Sequence, residues 1–513
     1  MGRFVVIGAG PAGLTAAERL LEDFPQSEVI VLEADCCVGG ISRTVNYDGN
    51  RMDIGGHRFF SKNRDVVEFW KRHMPLQGHP AYDDVVCGRK KTFPEEGPDP
   101  EKTDNVMLLR DRFSRIYYLK KFFDYPMSMK KETFLNMGLG RTLSAGFSYL
   151  KSAVSKREEK SLEDFFINRF GRVLYGMFFE NYTEKLWGRH PSAISADWGE
   201  QRVKGLSVFA MVRNLFVKDG KKETSLIESF WYPKYGPGHF WETVADSVRE
   251  KGGKILYGHN VVAIRTEGDR IVSVACSVDG REEEIRGDVF LSSMPLKDLV
   301  LGLQGCPENI REIASGLPYL DFRTVGVLLK RLKLKNDTSY GTVNGIVPDC
   351  WIYVQEPDVK MLRLQVFNNW SPYMVKDVGN TVWVGLEYTC LEGDRYWEMS
   401  DDDFASFAVG EMEKIGLADK EDVLGFRCVK MKKAYPAYFD SYGRIGEIID
   451  YLDRYGNLYC IGRNGQHRYN NMDHSMLTAM LAVDNIRDGI ADKGRIWSVN
   501  AEKEYHESAG GNG

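Results

Sequence analysis

The chain has 513 residues and a formal net charge of -5, and 43% of its residues are hydrophobic. This length is enough for two or three domains with sizeable cores. The negative net charge argues against nucleic acid as the main partner, because binding to a phosphate backbone usually requires a basic surplus. No apolar run approaches the roughly 18 residues that span a bilayer, so we expect no transmembrane segment.

The cysteines and histidines argue against a metal site. Nine cysteines occur without a C-x-x-C pair, and Cys36 and Cys37 are adjacent, which suits neither a zinc site nor a disulfide framework. The histidines include no H-E-x-x-H motif. The absence of a disulfide-type cysteine pattern favours a reducing compartment, and the start RFVVIGAG is not typical of a signal peptide. We therefore predict a cytoplasmic protein without a bound metal.

The first 33 residues predict a strand, a helix and a second strand. RFVVIG reads as a short buried strand, PAGLTAAERLLEDF as a helix, and EVIVLE as another buried strand. This order within about 30 residues is typical of a βαβ unit. Further along, aromatic pieces such as RIYYLKKFF predict strands, and residues 130–215 show the spacing of helices.

The second half of the chain is predicted to contain both helices and strands. Residues 236–300 predict the helix HFWETVADSVREKG, the strand KILYG, a hairpin that turns at Glu267-Gly268-Asp269, and the strand GDVFLSSMP. Residues 318–435 alternate short β-rich runs, as an antiparallel sheet does. The strand NLYCIGR and the helix SMLTAMLAVDNIRDGI follow.

These patterns predict an α/β fold with a discontinuous Rossmann-type domain, an inserted helical domain and an antiparallel-sheet substrate domain. The polar tail 499–513 is expected to be disordered. The predicted ranges are 1–75, 236–300 and 450–495 for the Rossmann-type domain, 130–215 for the helical domain, and 76–129, 216–235 and 301–449 for the sheet domain.

The βαβ unit carries a dinucleotide-binding motif. Gly8, Gly10 and Gly13 fit G-x-G-x-x-G, which allows a tight turn, close approach of a pyrophosphate, and close packing of helix on strand. The amide groups at the start of the helix favour phosphate binding. Glu33 follows the second strand, where a carboxylate can bind ribose hydroxyls.

Two further segments favour FAD over NAD. Gly39-Gly40-x-x-Arg43-Thr44 follows the acidic residue, as in flavoproteins of the amine-oxidase and phytoene-desaturase type. Near the carboxyl terminus, a small-residue turn and Asp473 precede a helix, which resembles the second FAD-binding segment of those proteins.

Four motifs resemble those of the UDP-galactopyranose mutase family, in order and over nearly the whole chain. The first is DIGGHRFFS, residues 53–61, with a Gly-Gly-His followed by aromatic residues. The second is FFENYTEKLWG, residues 178–188, and the third is CWIY, residues 350–353, with Arg363 ten residues on. The fourth is RYNNMDHS, residues 468–475.

The resemblance implies a site for each group of residues. The implied catalytic residues are His57, Arg202 and Arg363. The implied FAD-binding residues are Gly8, Gly10, Gly13, Glu33, Gly40, Arg43, Gly56, His57, Val262, Gly462, Arg463, Asp473 and Ser475. The implied substrate-binding residues are Tyr125, Trp187, Arg202, Tyr353, Arg363, Tyr435, Tyr469 and Asn471.

The resemblance also implies a reaction. Reduced flavin N5 would attack the anomeric carbon of a nucleoside-diphosphate sugar, by default UDP-galactose, so that pyranose and furanose forms interconvert. FAD would act in its reduced state, with NAD(P)H as a candidate reductant and a homo-oligomer as a candidate assembly. Two arginines and several phenols are suited to holding a diphosphate. The alternatives are an FAD-dependent oxidoreductase of the amine-oxidase or protoporphyrinogen-oxidase type, which would favour an apolar tunnel, and a non-catalytic sugar-nucleotide sensor.

Several implied residues also have a structural interpretation. His57 could cap its loop, the arginines could form surface ion pairs, and Trp187, Tyr353 and Tyr435 could be core aromatics. The segment around Tyr125 lacks the usual family pattern, and the last motif is about two residues shorter than in the family. Both departures leave the identity of the base and of the sugar open.

Overall fold

The computed structural model describes residues 2–125, 131–196 and 229–500. The strands of this part are β1 Arg3–Ile7, β2 Glu28–Leu32, β3 Thr44–Tyr47, β4 Asn50–Asp53, β5 Met107–Asp111, β6 Ser114–Tyr118, β7 Lys121–Asp124, β8 Ser229–Pro233, β9 Lys254–Leu256, β10 Asn260–Glu267, β11 Arg270–Val278, β12 Arg281–Arg286, β13 Val289–Ser292, β14 Tyr319–Leu329, β15 Trp351–Val354, β16 Arg363–Val366, β17 Val382–Cys390, β18 Val423–Pro436 and β19 Leu458–Cys460. The helices are α1 Pro11–Asp23, α2 Arg64–His73, α3 Tyr82–Val86, α4 Lys131–Met137, α5 Leu139–Val154, α6 Leu162–Tyr175, α7 Asn181–Trp187, α8 Pro237–Glu250, α9 Leu296–Gly302, α10 Glu308–Ser315, α11 Phe367–Trp370, α12 Arg395–Glu398, α13 Asp401–Lys414, α14 Ile445–Asp453, α15 Gly462–Gly465, α16 Met472–Asp488 and α17 Gly494–Trp497.

A five-stranded parallel sheet in the order β19-β13-β1-β2-β9 brings three distant parts of the chain together. Its strands are apolar on both faces because both faces are covered. Val6 packs in a core with α1, α8 and α16 on one face, and Val5 packs in a second core with α9, α10 and α14 on the other. The predicted α/β fold class is confirmed.

A seven-stranded sheet in the order β18-β14-β17-β16-β15-β6-β7 forms a second body of structure. Its pairings are antiparallel, as the alternating pattern predicts, except that β6 and β15 run parallel. The aromatic stretch 114–124 folds as the hairpin β6–β7 and extends this sheet. Because β6 and β15 are far apart in sequence, no tight turn between them imposes an antiparallel pairing.

Helices α4 to α7 lie in the region that the sequence predicts as helical. Within α6, Gly171 has φ of +77°, and a Cβ there would lie 2.7 Å from the backbone nitrogen of Tyr149. The glycine therefore allows α5 and α6 to approach closely. A π-helical turn, Gly176–Glu180, precedes α7. Residues 197–228, which include Arg202, lie outside the described residues.

Two sequence-based predictions concern the membrane and the carboxyl terminus. Among the described helices, none combines the length and the apolarity that crossing a bilayer requires. Of the predicted disordered tail, Val499 and Asn500 are described, and Asn500 Nδ2 donates a hydrogen bond to the backbone oxygen of Tyr469 at 3.0 Å. Residues 501–513 lie outside the described residues.

A buried carboxyl group at the end of β4 predicts a pH effect on stability. Asp53 accepts hydrogen bonds from Tyr232 Oη and from Thr44 Oγ1, and burial raises the pKa of Asp53 to about 7. In the unfolded chain this pKa is about 3.9. The folded protein therefore binds an extra proton between these two pH values, and the stabilising contribution is lost as the pH rises through this window.

Replacing Asp53 with asparagine is expected to remove this contribution. The free energy of unfolding of the wild type, relative to that of D53N, should be larger at about pH 5 than at about pH 8, so that the wild type is relatively more stable at the lower pH. Chemical denaturation of both proteins at the two pH values measures the difference. Parallel pH dependences of the two proteins would contradict the assignment of the buried proton to Asp53.

Candidate active site

A cleft opens where the parallel sheet meets the seven-stranded sheet. It encloses about 1440 Å³, its open mouth included. On one side it is lined by Gly8, Ser293 and Gly462, which follow the carboxyl ends of β1, β13 and β19, the edge at which α/β sheets bind ligands. On the other side it is lined by Arg363 of β16 and Tyr435 of β18.

The three glycines of the first motif differ in what requires them. Gly8 has φ of +97°, and a Cβ there would lie 2.2 Å from Ser293 Oγ. A Cβ on Gly13 would lie 1.8 Å from the backbone oxygen of Gly8, so this glycine supports the packing of α1 and does not line the cleft. A Cβ on Gly10 would approach only Gly40 Cα, at 4.0 Å. Gly10 lines the cleft, so close approach of a ligand explains a glycine here better than protein packing does.

The amino terminus of α1 and Glu33 complete a cradle for a dinucleotide. No side chain caps the start of α1, so its first amide groups are available to a phosphate. Glu33 accepts hydrogen bonds from the backbone nitrogens of Ala9 at 2.7 Å and of Asp35 at 2.9 Å, and burial raises the pKa of Glu33. These bonds fix the carboxyl group at the cleft, where its remaining lone pairs can accept ribose hydroxyls.

His57 contributes a neutral imidazole to the cleft. Its Nδ1 lies 3.1 Å from the backbone oxygen of Gly55. Because a carbonyl oxygen only accepts, Nδ1 carries the proton and Nε2 remains an acceptor. Burial, together with the positive charges of Arg463 and Arg363, lowers the pKa of His57 to about 3. Gly56 also lines the cleft.

Arg363 is held in place by a buried carboxylate. It is paired in register with Glu387 of β17, and its Nε donates to Glu387 Oε2. Glu387 is fully buried and also accepts from Gln365 Nε2. Burial alone would lower the pKa of Arg363, but Glu387 and the neighbouring tyrosines together outweigh burial and raise this pKa. Within the described residues the two terminal nitrogens of Arg363 make no hydrogen bond, so they can receive a ligand in the cleft.

Arg463 supplies a second positive charge. Its nitrogens donate to the backbone oxygens of Asn470 and Ala434, and no described carboxylate pairs with it. Its guanidinium carbon lies 4.8 Å from the ring centre of Tyr469 and 5.6 Å from that of Tyr435. These two rings stack with a centroid distance of 5.7 Å. Arg463, implied as an FAD-binding residue, therefore lies beside two of the implied substrate-binding tyrosines.

More tyrosines extend from Arg363 towards the protein surface. Tyr353 of β15 is the register partner of Arg363. The ring of Tyr353 lies 4.3 Å from that of Tyr125 and 5.8 Å from that of Tyr182. Burial raises the pKa of Tyr182, which the sequence analysis does not single out. Its motif contains several aromatic residues, and their spacing cannot tell which of them faces Arg363.

The last motif places its residues at the start of α16. Asn471 is the N-terminal capping residue and lines the cleft, as does Ser475, whose Oγ donates to Asn470 Oδ1 at 2.9 Å. Asp473 lies behind this wall and accepts from Ser61 Oγ at 3.0 Å.

Besides Gly13 and Asp473, the described residues that are implied in binding but do not line the cleft are Arg43, Tyr125, Trp187, Val262 and Tyr353. Trp187 is 5% exposed and packs in the core of the helical region, as its structural interpretation expects. Val262 is 46% exposed on β10, in a separate three-stranded sheet. Arg43 pairs with Asp35 behind the glycine loop. Lys432 and Lys433, which the sequence analysis does not single out, also line the cleft. Lys432 is paired with Glu392 and Lys433 with Asp298, and the sequence of this basic run does not predict either ion pair.

Comparison with known proteins places this architecture among flavoenzymes. Residues 11–427 match the family model of flavin containing amine oxidoreductases. Among solved structures, a reduced UDP-galactopyranose mutase aligns with a TM-score of 0.75 at 20% identity over 99% of this chain and 100% of its own. A putative protoporphyrinogen oxidase from Exiguobacterium sp. 255-15 aligns with a TM-score of 0.65 at 15% identity, covering 95% of this chain and 99% of its own. Cyclohexylamine oxidase from Brevibacterium oxydans IH-35A aligns with a TM-score of 0.59 at 13% identity, covering 96% and 100%.

These matches confirm the resemblance that the motifs predict, and at such identities the structural likeness shows a shared fold. The predicted FAD cofactor is also confirmed, and the glycine cradle and Glu33 fit it. Since the family model covers most of the residues, the chain belongs to the flavin containing amine oxidoreductase family, whose members are FAD-dependent enzymes.

Proposed function

We propose that this protein is a flavin-dependent mutase that interconverts the pyranose and furanose forms of a nucleoside-diphosphate sugar, by default UDP-galactose. The observation that carries the proposal is the position of Arg363. Its guanidinium is fixed by Glu387 through Nε, and Arg363 lines the cleft that also contains the glycine cradle. A forked cation of this kind suits a diphosphate, because it offers parallel charged donors.

The polar residues on the Arg363 side of the cleft would each bind a different part of the diphosphate. Arg363 offers forked donors, Arg463 adds a charge that no carboxylate in the described part of the chain pairs with, and the phenols of Tyr435 and Tyr469 can donate to further phosphate oxygens. The same groups would stabilise the negative charge that develops as the nucleoside diphosphate departs. When bound and reduced, FAD supplies the nucleophilic nitrogen that the proposed reaction requires.

The nucleobase and the part of the substrate beside the cofactor would contact different residues. Tyr353 and the 38% exposed Tyr125 form a contacting pair of rings near the surface, which suits stacking of a nucleobase. His57 stays neutral and keeps Nε2 as an acceptor, so it can orient a hydroxyl or amide group without adding charge beside the cofactor.

The second candidate is an oxidoreductase acting on an amine, which the family and the alignment with cyclohexylamine oxidase favour. The stacked pair Tyr435 and Tyr469 could in principle hold an ammonium group by cation–π contact. However, Arg463 already lies over both rings and would repel a second cation. The charge of the cleft wall therefore supports an anionic substrate.

Product analysis of the reduced protein tests the proposal. The flavin-loaded protein is reduced with dithionite, offered a panel of sugar nucleotides, and the products are separated by chromatography. We expect a ring-contracted isomer from at least one of them, and none from the oxidised protein used as the control. Oxygen consumption by the oxidised protein with an amine or a porphyrinogen, together with no isomerisation, would favour the second candidate instead.

A further inference from the structure

Helix α5, far along the chain from the glycine cradle, carries an exposed apolar stripe. Leu139, Leu143, Phe147, Leu150 and Val154 are 76%, 55%, 73%, 61% and 90% exposed. At about 100° per residue, their spacing places all five within an arc of about 80° on one side of the helix. Single exposed apolar residues are ordinary, but an aligned set of five large side chains marks an interaction surface.

The opposite side of α5 fixes the direction in which the stripe faces. Ala145 and Ser152 are buried, and Ser148 Oγ accepts a hydrogen bond from the backbone nitrogen of Val173 on α6. Gly171 of α6 allows the two backbones to approach closely. The helix is therefore anchored to α6, and the stripe points away from the protein.

The charge around the stripe is predominantly positive. Residues 131–160 contain six lysines and arginines, among them Arg141, Lys151, Lys156 and Arg157, against three glutamates, although the whole chain carries a net charge of -5. Among the described residues, Arg157 lies 3.7 Å from Asp164, and no salt bridge engages Arg141, Lys151 or Lys156. An apolar stripe flanked by cations is complementary to an anionic lipid surface, whose headgroups attract lysine and arginine and whose acyl region accepts apolar side chains.

We propose that α5 docks the protein on the surface of an anionic phospholipid bilayer, with the stripe inserted at the boundary between headgroups and acyl chains. The helix has 16 residues and is therefore about 24 Å long, which suits lying in the membrane plane. A second copy fits less well, because pairing α5 with itself would bring together two helices that each carry Arg141 and Lys151 and no acidic residue to pair them.

Vesicle flotation of the flavin-loaded full chain tests the proposal independently of catalysis. The wild type is mixed with vesicles of phosphatidylcholine and phosphatidylglycerol or of phosphatidylcholine alone. The test variant is F147E/L150E. The matched control is L391E/L424E, which changes two leucines that are 48% and 49% exposed elsewhere on the surface. Flavin absorbance and melting temperature show that each variant is folded.

We expect the wild type and L391E/L424E to float with the anionic vesicles, and F147E/L150E to lose at least about tenfold in bound fraction. R141A/K151A should lose binding in part, and added salt should weaken the wild type because it screens the cations. Failure of the wild type to float, or equal flotation of F147E/L150E, would overturn the proposal. A wild-type dimer in sedimentation equilibrium that F147E/L150E dissociates, without vesicle binding, would assign the stripe to self-association instead.

Discussion

Replacing Arg363 with lysine is expected to lower kcat/KM for the sugar nucleotide about 100- to 1000-fold while FAD stays bound. Lysine keeps the positive charge that balances the fully buried Glu387, so the fold should be retained. It loses the planar fork, and with it the parallel donors that the diphosphate requires. Steady-state kinetics and the flavin absorbance of the purified variant measure the two effects separately.

A second arginine provides the matched control for this change. Arg331 is also paired with an aspartate, Asp422, but its side chain is 73% exposed. R331K should leave both kcat/KM and flavin content unchanged, because exposed ion pairs contribute little. Arg363→Ala is a poorer test, since it leaves Glu387 buried without its cation and destabilises the whole site. An R363K protein with activity within a few fold of wild type would contradict the assigned role.

Replacing Gly10 with alanine is expected to abolish FAD binding without unfolding the protein, whereas Gly13→Ala is expected to unfold it. In G13A the new Cβ meets a backbone oxygen at 1.8 Å, which only a shift of α1 relieves, at a cost of ~3 kcal/mol or more. In G10A the nearest atom is 4.0 Å away, and Gly10 has φ of -81°, which alanine adopts readily. The new methyl group instead occupies the space of the pyrophosphate.

The ratio of flavin to protein, circular dichroism and the melting temperature of the flavin-free proteins distinguish the two variants. Gly140 on α5 serves as the control, since no atom lies within 4 Å of a Cβ there. G140A should bind FAD as the wild type does. A G10A protein that purifies with a full complement of FAD would show that the pyrophosphate does not approach this glycine.

The sequence predicts the local elements of the flavin-binding region well. The first strand, helix and second strand are found at Arg3–Ile7, Pro11–Asp23 and Glu28–Leu32, within a residue of the predicted limits. The hairpin turn at Gly268 is also found. These elements are accessible to sequence analysis because hydrophobic periodicity and glycine-rich turns are local properties.

The pairings between distant segments are not accessible in the same way. The parallel contact of β6 with β15 joins segments whose patterns contain no information about each other. The pairing of Arg363 with Glu387 depends on the register of β16 and β17, and a shift of one residue would turn Arg363 to the other face. The basic character of the cleft therefore becomes clear only from the assembled sheet.

The positions of individual site residues are also only partly predictable from the sequence. Three residues that the family resemblance implies, Tyr435, Tyr469 and His57, line one cleft, because each lies near the end of a strand or just before a helix that reaches it. The resemblance also implies a binding role for Trp187, which packs in the core, and misses Tyr182 five residues earlier. On a short helix, the choice between a core and a cleft position depends on neighbours that come from other parts of the chain.

The central claim is that a wall containing Arg363 binds a diphosphate opposite the glycine cradle. A crystal structure of the flavin-loaded protein with UDP tests it most directly. We predict at least one phosphate oxygen at about 2.7–3.2 Å from a terminal nitrogen of Arg363, with further oxygens near the phenols of Tyr435 or Tyr469. A diphosphate that contacts none of these three side chains would contradict the account.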